Sequence, residues 1–189
     1  MKSKILNVTR VYSGYLKVEK VNARVDDHEL CVEVINRGNS AAILLVDPDT
    51  KECIVVEQFR PAIMGSMMGL PAGMIEKGQT AQDAVIRELE EETNIIVEEC
   101  DLIDLGAHYL SPGILTETTH CFLALVPLDE VKTPYSINNK EESEFLTVHK
   151  RPLGDLTPGN TASASLTICK LGAEAIFMAQ RYIRRIKRS

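Results

Sequence analysis

The sequence predicts an α+β protein in which a mixed β-sheet carries helices on its faces, an α/β/α sandwich. Polar and apolar residues alternate through residues 4–35, which predicts a small antiparallel sheet at the N-terminus. Further apolar segments, bounded by Gly, Pro, Asn and Asp, flank one strong helix signal between Thr80 and Thr93. We therefore divide the chain into an N-terminal sheet subdomain, residues 1–35, and a main domain, residues 36–189.

Taken in order, the elements of the main domain follow from short apolar runs and from turn residues. The expected strands are residues 41–46, 52–58, 102–110, 119–126 and 144–149. Residues 59–72 and 127–143 are rich in Gly, Pro or polar residues and are predicted to be loops. A helical turn is expected at 152–156 and a long amphipathic helix at 163–187.

Composition limits the classes of function. The chain has 189 residues, 44% hydrophobic and 25% charged, which is ordinary for a soluble globular protein. Its net charge of −6 argues against a nucleic-acid partner, because phosphate backbones favour basic surfaces. We see neither a bilayer-spanning apolar run nor the apolar core of a signal peptide. The cysteines lack CxxC spacing and are expected to be reduced, mostly in the core of a cytoplasmic protein: Cys31, Cys53, Cys100, Cys121 and Cys169.

Both ends of the strongest helix are marked in the sequence. Thr80, with Asp83 three residues later, forms a variant of the capping box. Asn94 stands where a helix often ends in a left-handed residue, a conformation that Asn tolerates. Before the helix, Gly73 and Gly78 bracket a loop that can bring the backbone close to a ligand.

Three carboxylates are expected on one face of this helix. At 100° per residue, Glu88, Glu91 and Glu92 point in similar directions, while Glu90 points away. Val85, Ile86 and Leu89 form the adjoining apolar stripe. Like charges at this spacing repel, and a divalent cation relieves the repulsion. All-oxygen ligation favours Mg²⁺, with Mn²⁺ as the alternative, over Zn²⁺. A solvated acidic helix without a metal is the plainer explanation of such a run.

The stretch from residue 69 to residue 95 resembles the Nudix box. The matching residues, all at the family's spacing, are Gly73, Arg87, Glu88, Leu89, Glu91, Glu92 and Ile95. Gln79 replaces the first Glu of the pattern and Asn94 replaces its last Gly. In the family the first Glu pairs with the box Arg, so Gln79 would retain only an uncharged hydrogen bond to Arg87. Asn94 can occupy a Gly position with positive φ.

Segments outside the box resemble the ADP-ribose and nucleotide-diphosphate-sugar pyrophosphatase branch of the family. Glu57 and Arg60 belong to an EQxR-like strand end, where the resemblance gives the Arg a contact with substrate phosphate or ribose. Arg37 lies in an Asn-Arg-Gly turn and is a second candidate for binding anions. Pro112 and Glu117 match a proline and a glutamate that the branch carries beyond the box. We therefore expect these five residues to bind substrate.

The resemblance also implies a catalytic set. The Ala72 carbonyl would join Glu88 and Glu92 as metal ligands, and Glu91 would bind a second ion or bridge two. Glu91 and Arg87 are therefore expected to be catalytic. The general base is expected in a late acidic loop, where we favour Glu142 over its neighbours Glu141 and Glu144, although a solvated acidic turn explains these residues equally well.

The implied activity is Mg²⁺-dependent hydrolysis of the pyrophosphate bond in ADP-ribose or a related nucleoside diphosphate sugar. A GDP-mannose pyrophosphatase is the alternative within this chemistry, and a non-catalytic nucleotide-sugar-binding module is the alternative of another class. The branch implies a homodimer with N-terminal strands exchanged or packed across the two-fold axis. We interpret the basic residues 181–188 as a helix end that complements the helix dipole, rather than as a membrane or nucleic-acid site.

Overall fold

The computed structural model describes residues 1–139, 144–156 and 180–183. Two compact units are present: residues 1–39 together with 108–119, and residues 40–107 together with the described residues from 120 onward. The described secondary structure consists of a small antiparallel sheet, a larger mixed sheet, one α-helix, three 3-10 turns and a short helical stretch at residues 180–183. The predicted α+β class is confirmed.

The small sheet is built from the first three strands. They are β1 (Ser3–Ser13), β2 (Lys17–Val25) and β3 (His28–Asn36), paired antiparallel in the order β1-β2-β3. The turn between β2 and β3 is tight, because Val25 pairs directly with His28. Asp26 makes this tight turn possible by adopting a φ of 51°, a left-handed conformation that Asp tolerates.

The two faces of this sheet differ in polarity. Cross-strand register places Ile5 beside Ala23 and Ala23 beside Leu30. Val8, Val21 and Val32 form the next row on the same face. The opposite face is mostly polar, with rows Lys4-Arg24-Glu29, Asn7-Asn22-Cys31 and Thr9-Lys20-Glu33. Ile5 and Val8 are 58% and 51% exposed, so the apolar face lies largely uncovered.

The second segment of this unit is held by backbone bonds to the end of β3. Ile35 N–H donates to the Ile114 carbonyl at 2.7 Å, and Thr116 N–H donates to the Ile35 carbonyl at 3.1 Å. Asn39 Oδ1 accepts from both the N–H and the hydroxyl of Thr118, at 3.3 and 2.9 Å. The turn that carries Arg37 is therefore fixed against the stretch that leads to Glu117.

The large sheet has eight strands. Their bounds are β4 Ser40–Val46, β5 Glu52–Arg60, β6 Gly65–Gly69, β7 Ala72–Met74, β8 Leu102–Tyr109, β9 Thr118–Leu125, β10 Tyr135–Asn139 and β11 Glu144–Pro152. Six of them form a path in the order β10-β11-β5-β4-β9-β8, while β6 pairs with β5 and β7 pairs with β4.

Helix α1 (Ala81–Thr93) packs on one face of this sheet. Val85 and Leu89 are fully buried in the core, and Ile86 packs against its edge, as the apolar stripe predicted. The hydroxyl of Tyr135 in β10 donates to the Thr93 carbonyl and so links the end of the helix to the sheet. Burial raises the pKa of Tyr135, whose hydroxyl is already protonated and a donor at neutral pH.

Asp47 fixes the turn between β4 and β5. Its carboxylate is 5% exposed and accepts from Leu128 N–H at 2.9 Å, from Thr50 N–H at 2.9 Å and from Asp49 N–H at 2.8 Å. The bonds from Leu128, Thr50 and Asp49 lower the pKa of Asp47 to about 2. One carboxylate thus ties a hairpin turn to a segment about 80 residues away.

Several sequence predictions are wrong. Residues 59–72 are not one loop, because they contain a 3-10 turn (Pro61–Ile63), β6 and the start of β7. The predicted loop 127–143 contains β10. β10 lies at the edge of the sheet and β6 pairs with β5 off the main strand path, and both strands are only five residues long.

The cysteines also differ from expectation. Cys53 and Cys121 are buried, whereas Cys31 and Cys100 are exposed rather than in the core. Cys169 lies outside the described residues, as does nearly all of the predicted helix 163–187, although residues 180–183 are helical. The predicted turn at 152–156 is present as a 3-10 turn, Leu153–Leu156. Among the described helices, none is long and apolar enough to span a membrane.

Candidate active site

Helix α1 begins and ends at the residues that the sequence indicated. Thr80 is the N-cap: its hydroxyl accepts from Asp83 N–H at 3.0 Å, while the Asp83 carboxylate accepts from Thr80 N–H at 3.1 Å. At the other end Asn94 has a φ of 54°, and its N–H donates to the Glu90 carbonyl at 2.8 Å. This geometry shows why Asn can replace Gly at this position.

Glu92 is the most deeply placed carboxylate of the helix. It is 5% exposed, and its Oε2 accepts from Ala72 N–H at 2.9 Å. Ile43 N–H donates to the carbonyl of Pro71, the residue before β7. Bonded and non-bonded pairs alternate in an antiparallel ladder, so the neighbouring pair, Ala42 with Ala72, makes no inter-strand hydrogen bonds. Antiparallel geometry then directs both backbone groups of Ala72 away from β4. The Ala72 carbonyl is therefore free of the sheet ladder on the side where Glu92 lies.

Gly73 makes room for the carboxylate of Glu88. A Cβ built on Gly73 would lie 1.9 Å from Glu88 Cδ and 2.0 Å from its Oε1. The φ of Gly73 is outside the left-handed range, so space rather than backbone conformation requires glycine here. The box glycine and a box glutamate are thus in direct contact across 15 residues of sequence.

Arg87 joins two of the three carboxylates. Its Nη1 donates to Glu91 Oε2 at 2.7 Å, and its Nη2 donates to Glu88 Oε1 at 2.7 Å. A longer contact of 3.4 Å reaches the Met74 carbonyl. Burial disfavours the charge of Arg87, but Glu88 and Glu91 outweigh burial and raise its pKa.

Gln79 does not bond Arg87, contrary to the expected replacement for the missing Glu. Its side-chain oxygen instead accepts from Glu76 N–H at 3.1 Å, and its own N–H donates to the Glu76 carbonyl at 3.1 Å. Arg87 Nε is buried and has no hydrogen-bond partner in the described part of the chain. One donor of the guanidinium is therefore unsatisfied, and Gln79 does not supply its acceptor.

Comparison with known proteins adds to this geometry. Residues 36–167 match the NUDIX domain family. The chain belongs to the Nudix family. The ADP-ribose pyrophosphatase of Bacillus subtilis (strain 168) is 33% identical over 123 residues, which are 65% of this chain and 63% of that protein.

Two further relatives have different names. The ADP-sugar pyrophosphatase of Mus musculus is 33% identical over 128 residues, 64% of this chain and 57% of that protein. The methanol dehydrogenase activator of Bacillus methanolicus is 30% identical over 128 residues, 64% of this chain and 65% of that protein. The chain thus matches less than two thirds of the length of each of these three relatives.

The Nudix box residues suit a hard divalent cation. Two of the three carboxylates pair with the Arg87 guanidinium and the third accepts from Ala72 N–H, so the group keeps a net negative charge. The ligand atoms on offer are all oxygen, which fits Mg²⁺ or Mn²⁺. Across the described residues, however, no three acidic, His or Cys side chains are arranged as a ready metal site. The hydrogen bonds of Arg87 and Ala72 N–H already engage the carboxylates.

Glu57 and Arg60 lie near the end of β5, as the EQxR resemblance requires. Arg60 is exposed and makes no ion pair within the described residues, so it is available to an anion. Glu57 contacts His149 of β11, with 2.9 Å between Glu57 Oε2 and His149 Nε2. His149 was not among the residues predicted from the sequence. Only the register that sets His149 opposite Val55, two residues from Glu57, brings the pair together.

The other unit contains the remaining predicted substrate residues. Arg37 Nη1 lies 3.9 Å from Glu117 Oε2, and the Glu117 side chain is 6% exposed. Pro112 is exposed and belongs to a turn closed by bonds from Ile114 N–H and Leu115 N–H to the Ser111 carbonyl. Arg37 and Glu117 are thus brought together from positions 80 residues apart in sequence.

The candidate general base falls outside the structure. Glu141 and Glu142 are outside the described residues, and Glu144 is described only as the first residue of β11. The assignment of Glu142 stays a prediction.

Proposed function

We propose that this Nudix protein hydrolyses the pyrophosphate bond of ADP-ribose or a related nucleoside diphosphate sugar, giving a nucleoside monophosphate and a sugar phosphate. One observation carries the proposal: Glu92 accepts from Ala72 N–H, and Glu88 lies against Gly73. A single guanidinium, that of Arg87, pairs with both Glu88 and Glu91. This partly buried group has surplus negative charge, which is costly unless a cation binds there.

The proposal assigns roles to the three box carboxylates, to the Ala72 carbonyl and to Glu142. A bound Mg²⁺ would polarise the phosphate oxygens and lower the pKa of an attacking water. Glu88, Glu92 and the Ala72 carbonyl would hold the cation, and Glu91 would bind a second cation or bridge two. Glu92 is fixed for this by Ala72 N–H, and Glu88 by the space above Gly73. Glu142 is proposed to take the proton of the water.

Five residues are proposed to bind substrate. Arg60 is exposed and carries a planar fork of donors that suits phosphate oxygens. Arg37 is also partly exposed, and its partner Glu117 orients it. Glu57 and Pro112 complete the proposed set. Two of the three relatives described above are named for ADP-ribose or ADP-sugar pyrophosphatase activity, and this supports the substrate class.

Two alternatives are open to the same test. GDP-mannose is the alternative substrate, because the Asn36-Arg37-Gly38-Asn39 turn, the strand end at Arg60 and the Ser-Pro-Gly loop also resemble GDP-mannose hydrolases. A module that binds a nucleotide sugar without cleaving it is the alternative of another class. Gln79 is the feature that favours it, and the three intact carboxylates oppose it.

The deciding experiment measures monophosphate release with Mg²⁺ from ADP-ribose, ADP-glucose, GDP-mannose and dinucleotides. We expect release from one or a few of these substrates and a loss of at least about 100-fold in Glu92→Gln, because that change removes a ligand charge. Glu90→Gln is the matched control: Glu90 is exposed and points away from the cluster, so activity should be retained. Binding of a nucleotide sugar without cleavage under several metals would contradict the proposal.

We also propose that the N-terminal sheet mediates a homodimer. The observation in support is the uncovered apolar face that contains Ile5, Val8, Leu30 and Val32. Burial of such a face contributes about 25 cal/mol per Å² of apolar surface. Val8→Glu should dissociate the dimer in light scattering, whereas Thr9→Glu, on the polar face of the same strand, should not. A protein that is monomeric at micromolar concentration would exclude this assembly.

A further inference from the structure

Arg87 occupies two carboxylates that the proposed cation needs. Both terminal nitrogens of its guanidinium lie 2.7 Å from a carboxylate oxygen, one on Glu88 and one on Glu91. Charge-assisted bonds of this length are among the stronger hydrogen bonds in proteins. A cation that binds Glu88 and Glu91 must therefore compete with Arg87 for the same oxygens.

The loop before the helix lies beside this guanidinium but supplies it with no strong hydrogen-bond acceptor. The Met74 carbonyl is 3.4 Å from Nη2, at the long end of hydrogen bonding. The Glu76 carboxylate acts on Arg87 through space and makes no bond with it. Gln79 is turned toward the backbone N–H of Glu76. Arg87 Nε remains buried without an acceptor in the described part of the chain.

We propose that Gln79 determines how strongly Arg87 competes with a divalent cation for Glu88 and Glu91. A carboxylate at position 79 would supply the acceptor that Nε lacks and draw the guanidinium toward the loop. The oxygens of Glu88 and Glu91 would then be more available to the cation. This inference rests on the metal dependence in the proposed function, and it concerns affinity for the metal rather than turnover.

The test is a calorimetric titration of the metal-free protein with Mn²⁺, without substrate. Gln79→Glu should lower the Kd for Mn²⁺ by about tenfold, since one charge-assisted pair is transferred from the carboxylates to residue 79. Gln82→Glu makes the same substitution on the first turn of α1. Residue 82 is 140° around the helix from Arg87, so this control should change the Kd by less than about twofold. Gln79→Ala should not tighten binding.

The outcomes separate this inference from the proposed function. Equal tightening in Gln79→Glu and Gln82→Glu would reflect added charge alone and overturn the inference, as would unchanged or weaker binding in Gln79→Glu. The absence of Mn²⁺ binding in every variant would overturn the inference together with the metal dependence. If Mn²⁺ binding follows the expected ratio but no substrate is cleaved, the inference is supported and the proposed function fails.

Discussion

At the scale of single residues, Gly73 controls the position of a carboxylate rather than a turn. We predict that Gly73→Ala keeps the fold but displaces the side chain of Glu88, because the new Cβ would overlap its carboxylate and that carboxylate is the mobile end of a side chain. Hydrolysis should fall by at least about tenfold while the melting temperature stays within a few degrees. Calorimetry and the monophosphate assay measure the two effects.

Gly154→Ala is the control for this prediction, since a Cβ there meets no atom within 4 Å. It should leave both activity and melting temperature unchanged. A fully active Gly73→Ala protein would show that Glu88 does not need its observed position.

Asp47 gives the protein a stability that depends on pH. Its pKa is about 2 in the folded protein, below the ordinary value of about 3.9. The folded state therefore binds the proton more weakly, so the stabilisation is complete above about pH 4 and is lost as the pH falls toward 2.

The substitution that tests this is Asp47→Asn. The amide nitrogen of Asn is a donor and would face one of the three backbone N–H donors, so that hydrogen bond is lost. The variant should therefore unfold at a lower urea concentration at pH 7. The difference in urea midpoint between wild type and variant should become smaller as the pH is lowered from 5 to 2. Asp49→Asn, at an exposed residue of the same turn, should behave as wild type; a gap that is independent of pH would rule out this origin.

At the scale of elements, the Thr80 N-cap stabilises α1, the helix that carries the site carboxylates. Thr80→Ala removes the hydroxyl that accepts from Asp83 N–H and should lower the free energy of unfolding by about 1 kcal/mol. Thr80→Ser keeps the hydroxyl and should change stability by less than about half of that amount. Denaturant titrations followed by circular dichroism compare the two. Equal losses would show that the methyl group, not the cap, matters.

The helix could be predicted because its signals are local. Thr80, Asp83 and Asn94 act on backbone groups within four residues of themselves, so their types alone indicate where α1 begins and ends. By contrast, β6 and β10 were missed. GSMMG has no alternating pattern, and in YSINN the alternation of Tyr135 and Ile137 with polar residues is too short to distinguish it from a loop. Pairing with β5 and β11 holds these two segments in strand conformation.

At the scale of the whole molecule, the exposure of the cysteines can be mapped by labelling. Cys31 and Cys100 should react with a thiol reagent in the native protein, and Cys53 and Cys121 should be protected. Burial raises the pKa of Cys53 to about 12, so very little of its thiolate is present at pH 8. Mass spectrometry after brief labelling identifies the modified residues. Labelling of Cys53 as fast as that of Cys31 would contradict the described core.

The site shows the same division between local and non-local information. The spacing of Glu88, Glu91 and Glu92 placed the carboxylates on one helix, and the Nudix resemblance related them to a cation. The sequence did not reveal that Arg87 would bond two of them while Gln79 turned to Glu76. The contacts of Glu57 with His149 and of Arg37 with Glu117 depend on strand register and loop docking, which short-range patterns do not encode.

The contact between Gly73 and Glu88 also bears on how such a sequence can change over time. Gly73→Ala adds one methyl group next to the Glu88 side chain. Glu88→Asp removes one methylene, which has nearly the same volume. An alanine at 73 should therefore be tolerated where residue 88 is aspartate, and the two positions should vary together among related chains. The double variant Gly73→Ala/Glu88→Asp would then bind Mn²⁺ more tightly than Gly73→Ala alone, because the shorter side chain relieves the overlap with the new Cβ.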